Sequence, residues 1–235
     1  ALRSFTGRLR WHCHFIQKLE DEPRIEYYNM HSAYDTLRTN EFNEHFFQAW
    51  KAGQTGYPMI DACMRALTQT GWINFRMRAM LMSFASYHLW LNWRQPALHL
   101  ARLFTDYEPG IHYSQVQMQS GTTGINSIRI YNPIKQGIDQ DPKGEFIRQW
   151  VPELNDVPDK YIHTPWECPD LMNGYPIPIV DEKAARKHAA DQLYGLRKNR
   201  SHRFEARHIV QKHGSRKKTR TFKKSTTHHQ NELPL

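Results

Sequence analysis

Apolar residues recur along this chain at helical spacing. Leu9, Trp11, Phe15, Ile16 and Leu19 fall on one side of a helix that must end before Pro23. Phe42, Phe46, Phe47 and Trp50 form a second stripe, closed by Gly53, a residue suited to a left-handed C-cap. The spacing predicts a third helix over 55–70, with Pro58 near its start and Ile60, Cys63, Met64 and Leu67 facing inward. Residues 74–93 are apolar nearly all round, which predicts the longest and most central helix. Pro96 opens another, ending near Phe104, and further helices are expected near 144–150 and over 181–194. No strand alternation and no internal repeat interrupts this pattern, so the expected fold class is all-α.

Two stretches break the periodicity. Over 106–143, Pro109, Gly110, Gly121, Gly124, Pro133, Gly137 and Pro142 predict loops gathered around a site. Residues 152–178 read as an extended, proline-punctuated wrap. The chain therefore divides into a helical domain over 1–195 and a basic, mobile tail over 196–235.

Charge sharpens that division. The 235 residues carry a formal net charge of +9. Residues 183–224 hold roughly fifteen Lys and Arg against Asp191 and Glu205, leaving the remainder slightly acidic. Such a tail suits an anionic partner such as nucleic acid, or is simply a solvated segment without one. Cys13, Cys63 and Cys168 have no paired spacing, which suggests a reducing compartment and no disulfide framework. The apolar window over 77–93 is interrupted by Arg78, Ser83, Ser86, His88 and Asn92 and is too short for a bilayer span. With no secretory signal visible, a cytoplasmic location is expected, or a nuclear or organellar one in a eukaryote. His12-Cys13-His14 lacks metal-ligand spacing, because neighbours on a helix point apart, and no metal is expected.

The candidate chemistry sits at the entry to the central apolar segment. Arg76 and Arg78 stand two residues apart, and an arginine facing a core cannot shed its proton, so it requires an anionic partner. Asp106 and Glu108 are the candidate partners. Two guanidiniums and two carboxylates in an apolar, Trp-rich domain point to a charged ligand pocket. The alternative is a structural buried ion pair.

Ordered blocks around these residues carry a resemblance. They are Gly56-Tyr57-Pro58, Asp61-Ala62, Met64-Arg65, Gly71-Trp72, Arg76 with Arg78, and Trp93-Arg94. Then come Arg129-Ile130-Tyr131-Asn132-Pro133, Phe146-Ile147-Arg148, Trp150 and Pro152-Glu153-Leu154. Together, over about residues 8–180 in unbroken order, they resemble the FAD-binding domain of the DNA photolyase/cryptochrome family. The resemblance implies FAD as cofactor and DNA as partner, and leaves protein partners open. It also implies a deoxyribodipyrimidine photolyase-like enzyme, in which light-excited reduced FAD passes an electron to a pyrimidine dimer. The alternatives are a cryptochrome-type photoreceptor without repair and a fragment that holds no flavin. The N-terminal α/β domain and the Ser/Thr-rich phosphate loop of such proteins have no counterpart in this stretch, so no antenna chromophore is expected here.

Site residues follow from the same resemblance. Arg78 and Asp106 pair beside the isoalloxazine ring, with Asn74, Tyr107 and Glu108 along the cofactor. His112 falls where the family faces the flavin N5, and could donate a hydrogen bond or proton there; otherwise it is a satisfied loop histidine. Trp11 matches a tryptophan lining the cavity for a flipped dimer, or is an ordinary core residue. Arg76 and Gln136 match DNA-contact regions. Arg8 replaces a glutamate that hydrogen-bonds the lesion, and is cast as a cationic stabiliser of its radical anion. Ala79 and Met118 replace a methionine and a tryptophan near the lesion, and Phe75 replaces an asparagine. Of the electron-relay tryptophans only Trp93 remains, Asn40 and Val116 occupying the other positions; Trp72, Trp90 or a tyrosine would have to supply another route.

Overall fold

Glycine and proline set the helix limits in the computed structural model of the chain, which describes residues 2–39 and 42–214. Ten α-helices form among these residues, and no strand. They are α1 (Leu2–Asp21), α2 (Glu44–Ala52), α3 (Pro58–Thr70), α4 (Phe75–Ser83), α5 (Arg94–Leu103), α6 (Pro109–Ser120), α7 (Pro133–Gln140), α8 (Glu145–Trp150), α9 (Glu182–Arg197) and α10 (Arg200–His213). Gly53, Gly71 and Gly121 follow α2, α3 and α6 with φ of 62°, 73° and 78°, the left-handed C-cap that an L-residue adopts only under strain. Among the described residues no helix is long and apolar enough to cross a membrane.

The core is built on α3, buried along most of its length, with α2, α4, α7 and α8 packed around it. Its first turn is held by the Asp61 carboxylate, which has no solvent exposure. Asp61 accepts from Thr55 N at 2.9 Å, Thr55 Oγ1 at 2.7 Å and Gly56 N at 3.0 Å, and also from the Tyr175 hydroxyl. Tyr175 belongs to the wrap expected over 152–178, which consists of short 3-10 turns. The Tyr57 hydroxyl donates to Val180 O at 2.7 Å, and Ile179 N donates to Thr55 O at 3.0 Å. At Gly56, with φ of 79°, the wrap runs so close that any Cβ would overlap the Ile177 backbone.

Three expectations are corrected. The segment over 74–93 is not one long helix. α4 ends at Ser83, widens into a π-turn over Phe84–His88 whose terminal rings stack at 5.0 Å, and stops where Trp90 takes a left-handed φ of 53°. The Asn92 side chain then accepts from Arg94 N at 3.0 Å just ahead of α5, which begins after Trp93. The longest helix is α1. The second correction concerns 106–143, where Pro109 and Pro133 occupy the first turns of α6 and α7. Proline there lacks only an N–H that a helix start leaves unpaired anyway.

The third correction is the tail. Residues 200–213 form α10, docked by polar contacts rather than by an apolar stripe. Glu205 accepts from Ser32 N at 2.7 Å and Ser32 Oγ at 2.6 Å, and His202 stacks on His31 with ring centroids 4.0 Å apart. Lys212 and His213 donate to Glu22 at 2.8 and 2.6 Å. Residues 215–235, with the rest of the basic run, lie outside the described residues.

Asp61→Ala strands the donors that converge on its carboxylate and should cost about 2–4 kcal/mol in urea unfolding. Stability should also fall on acidification. Burial holds His88, His99, His112 and His202 down to about 4, from an ordinary value of 6.5. Between those values the unfolded chain binds more protons than the folded one, so their contribution is complete above 6.5 and lost as pH falls toward 4. Asp61, raised by burial to about 6 from 3.8, works in the opposite direction over 6 to 3.8, one group against these four histidines. Chemical denaturation at pH 7 and pH 5 checks the net sign.

Candidate functional site

Arg78 lies in the first turn of α4, whose start is fixed by the Asn74 side chain accepting from Met77 N at 3.1 Å. Its guanidinium makes two parallel bonds to Asp106, Nη1 to Oδ1 and Nη2 to Oδ2, both 3.0 Å. Nε donates to Ile73 O at 2.8 Å, and the guanidinium carbon sits 4.2 Å above the Phe104 ring. Asp106 lies in the turn between α5 and α6, anchored by Thr105 N donating to Gly71 O at 3.0 Å. The pair is not a sealed core bridge, because the Arg78 side chain is 24% exposed and that of Asp106 51%. A half-solvated pair contributes about 0.2–1 kcal/mol. The bidentate geometry leaves one face of a fixed cation open to a ligand.

That face borders a cavity of about 150 Å³ between α4, α5 and α6. Arg78, Asp106, Tyr107 and Glu108 line it together with apolar Ala79, Met82 and Val116. Glu108 does not pair with an arginine. It caps α6, accepting from Gly110 N at 3.1 Å and Ile111 N at 2.7 Å, where a carboxylate also suits the positive end of the helix dipole. α1 crosses α6 closely at Gly110, where a Cβ would lie 2.8 Å from Ile16 Cα.

His112, one turn into α6, lines the same cavity. Burial pushes it down to about 4, so it is neutral at physiological pH. Its Nε2 is 2.9 Å from Ala97 O, a carbonyl that can only accept, so Nε2 carries the proton and Nδ1 is left as an acceptor. The expectation that His112 donates a hydrogen bond or a proton is therefore corrected: its one N–H is already engaged. Gln115, three residues on, also lines the cavity, and its buried Oε1 has no partner. A buried amide oxygen without a donor marks a place for a ligand N–H. Sequence reading missed Gln115 because it took 106–143 as loop; on a helix, positions 112 and 115 share a face.

The other expected residues are not gathered here. Asn74 acts as the α4 cap. Arg76, two positions from Arg78, points to another side of the helix and is exposed. Arg8 is exposed on α1. Trp11 is 50% exposed, so not a core residue, and lines a different cavity, between α1 and α10. Gln136 is half-buried on α7, with an unpartnered Oε1. Trp93 is buried, and its Nε1 donates to Asn29 at 2.7 Å. Phe75 is exposed at the cavity mouth, Met118 is half-buried, and Asn40 lies outside the described residues. Trp90 is a poor alternative relay, since the Arg38 cation lies 4.5 Å over its ring and opposes oxidation of the indole. No metal-binding group of three or more His, Cys, Asp or Glu gathers among the described residues.

Residues 5–195 match the family model described as the FAD binding domain of DNA photolyase. The chain belongs to the photolyase/cryptochrome family. It is 35% identical over 187 residues to the deoxyribodipyrimidine photo-lyase of Streptomyces griseus, covering 78% of this chain and 40% of that protein. It is 40% identical over 152 residues to cryptochrome-2 of Arabidopsis thaliana, covering 60% of this chain and 25% of the relative. The archaeal photolyase from Sulfolobus tokodaii, solved with two FAD molecules, superposes with a TM-score of 0.76 at 35% identity, covering 82% of this chain and 44% of that one. The chain thus spans less than half the length of these photolyase/cryptochrome relatives and carries the helical, FAD-binding part of the fold.

The cavity fits one edge of a flavin ring. A guanidinium held in plane, a neutral imidazole, an unpartnered amide oxygen and an apolar floor are present, but about 150 Å³ does not enclose a whole dinucleotide. Removing the α6 cap should loosen this wall: Glu108→Ala is expected to cost about 1 kcal/mol in thermal unfolding.

Proposed function

We propose that this chain holds the isoalloxazine edge of FAD against Arg78 and Asp106 and serves light-driven electron transfer to pyrimidine dimers in DNA, with residues 1–195 as the FAD-binding domain. The observation that carries the reading is the bidentate Arg78–Asp106 pair on the rim of a cavity with an unpartnered buried acceptor. Bound and reduced, the flavin supplies the light-excited electron donor. The chain supplies a fixed positive charge at Arg78, held by Asp106, that favours negative charge on the ring. His112, neutral and with its N–H engaged, accepts from a ligand N–H rather than protonating it. Ala79, Met82 and Val116 keep the floor dry. Tyr107 flanks the cofactor at the mouth.

DNA would meet the exposed groups of this domain. Arg8 on α1 and Arg76 on α4 suit phosphate contacts, with Arg8 able to stabilise charge on a lesion, and Gln136, half-buried on α7 with its Oε1 inward, stands as a contact through its amide N–H group. Trp11 presents half its indole for stacking. Trp93 remains the candidate inner electron relay. Three free thiols agree with a reducing compartment such as the cytoplasm.

The position of Trp11 favours a second reading. The tryptophan expected beside the lesion lines a cavity separate from that of Arg78, which suits a photoreceptor of the cryptochrome kind that does not repair DNA.

One experiment orders these readings. The purified chain is loaded with FAD and its visible absorption compared with that of Arg78→Lys and Asp106→Asn. Lysine keeps the charge but not the two parallel bonds. Flavin retention should fall about tenfold in each, equivalent to about 1.4 kcal/mol; equal retention in all three would remove the proposed site. Blue-light treatment of a dimer-containing oligonucleotide then separates repair from signalling, since only the first restores intact pyrimidines.

A further inference from the structure

Outside the flavin site, a half-open cavity of about 340 Å³ lies between α1 and α10. Its inner wall carries Lys18, only 6% exposed. This ammonium makes no hydrogen bond to any described residue and has no carboxylate within the 4.0 Å of a salt bridge. The nearest influence, Glu22, already accepts from Lys212 and His213. Burial pulls Lys18 down to about 8 from 10.5 against the attraction of Glu22, yet it remains largely charged at neutral pH. Its stem is out of water while the ammonium at its end reaches the cavity and finds no acceptor among the described side chains. Arg10 stands at the same cavity and is exposed, while Lys212 and His213 close the opposite wall. Asp21 is the single carboxylate among the lining side chains.

We propose that this cavity is a binding site for a phosphate ester, its anion held by Lys18 and Arg10 beneath the α10 wall. Two cations with no carboxylate within salt-bridge distance among the described residues suit a doubly charged oxyanion better than a carboxylate. The volume exceeds that of inorganic phosphate and leaves room for the organic part of a mononucleotide. The site uses α10, which lies beyond the matched residues 5–195, and does not rest on the flavin reading. The ester is either a free nucleotide or the terminal phosphate of a nucleic acid strand.

Calorimetric titration of the full 235-residue chain at one fixed salt concentration tests this, with inorganic phosphate, AMP, adenosine, and an oligothymidylate with and without a 5′-phosphate as probes. AMP is expected to bind, adenosine not to bind, and inorganic phosphate to compete with AMP. Preference for the phosphorylated oligonucleotide over AMP assigns the site to strand ends; the reverse assigns it to free nucleotides. Lys18→Met keeps the buried volume while removing the charge, and should weaken AMP binding at least tenfold while leaving flavin retention unchanged. Arg10→Ala, at an exposed position, should weaken it severalfold and guards against a folding defect in the first variant. Unchanged AMP binding in Lys18→Met, or no binding of any phosphorylated probe at millimolar concentration, overturns the proposal and leaves Lys18 as a lysine that buries its stem without a ligand.

Discussion

A single buried carboxylate ties the two ends of the domain together. Asp61 takes donors from the turn before α3 and from Tyr175, more than a hundred residues later in the chain. A carboxylate without exposure is tolerable only when its lone pairs are filled, so the turn at Thr55 and the wrap at Tyr175 must both be in place for the core to close. Gly56 follows from the same constraint: with the wrap pressed against its backbone there is no space for a side chain. α3, fixed in this way, is the element against which α4 packs, and α4 carries Arg78.

The site is assembled by helix starts. Asn74 caps α4 and aims Arg78; Glu108 caps α6 and places His112 and Gln115 on the cavity wall. Each cap fixes a helix origin within a fraction of a turn, and that origin decides which side chains face inward. A carboxylate that looked like half of a charge pair in the sequence therefore contributes by orienting a helix. His112 is set by the same geometry, because α6 brings its ring under the end of the Ala97 carbonyl and so selects the tautomer.

Much of this was legible in the sequence. The apolar stripes located α1, α2 and α3, Pro96 pointed to α5, and helices were expected where α8 and α9 stand. That a guanidinium keeps its charge called for a carboxylate, with Asp106 and Glu108 both candidates, and the family resemblance chose Asp106 for Arg78. Proline and glycine over 106–143 were misread because the same residues that break helices also begin and end them: Pro109 and Pro133 open helices, and Gly121 closes one. The break after Ser83 left no signal in an apolar run, since it depends on how Phe84, His88 and Trp90 pack. α10 was invisible for a different reason. Its attachment is a set of polar contacts with Ser32, His31 and Glu22, far away in sequence, and hydrophobic periodicity does not register such contacts.

The two cavities share a physical logic despite their different origins. In each, the chain holds a cation whose surroundings do not fully satisfy it. Arg78 has a carboxylate partner but half-solvated geometry, so the pair stabilises the fold little and costs little to leave open on one face. Lys18 buries its stem, and its ammonium, without a salt bridge among the described residues, faces the cavity. A fold that needed only stability would be served by an apolar residue at position 18, whose side chain is buried. The charge at each position therefore makes physical sense as one half of an interaction, which the proposed readings complete at Arg78 with a planar ring and at Lys18 with a compact oxyanion.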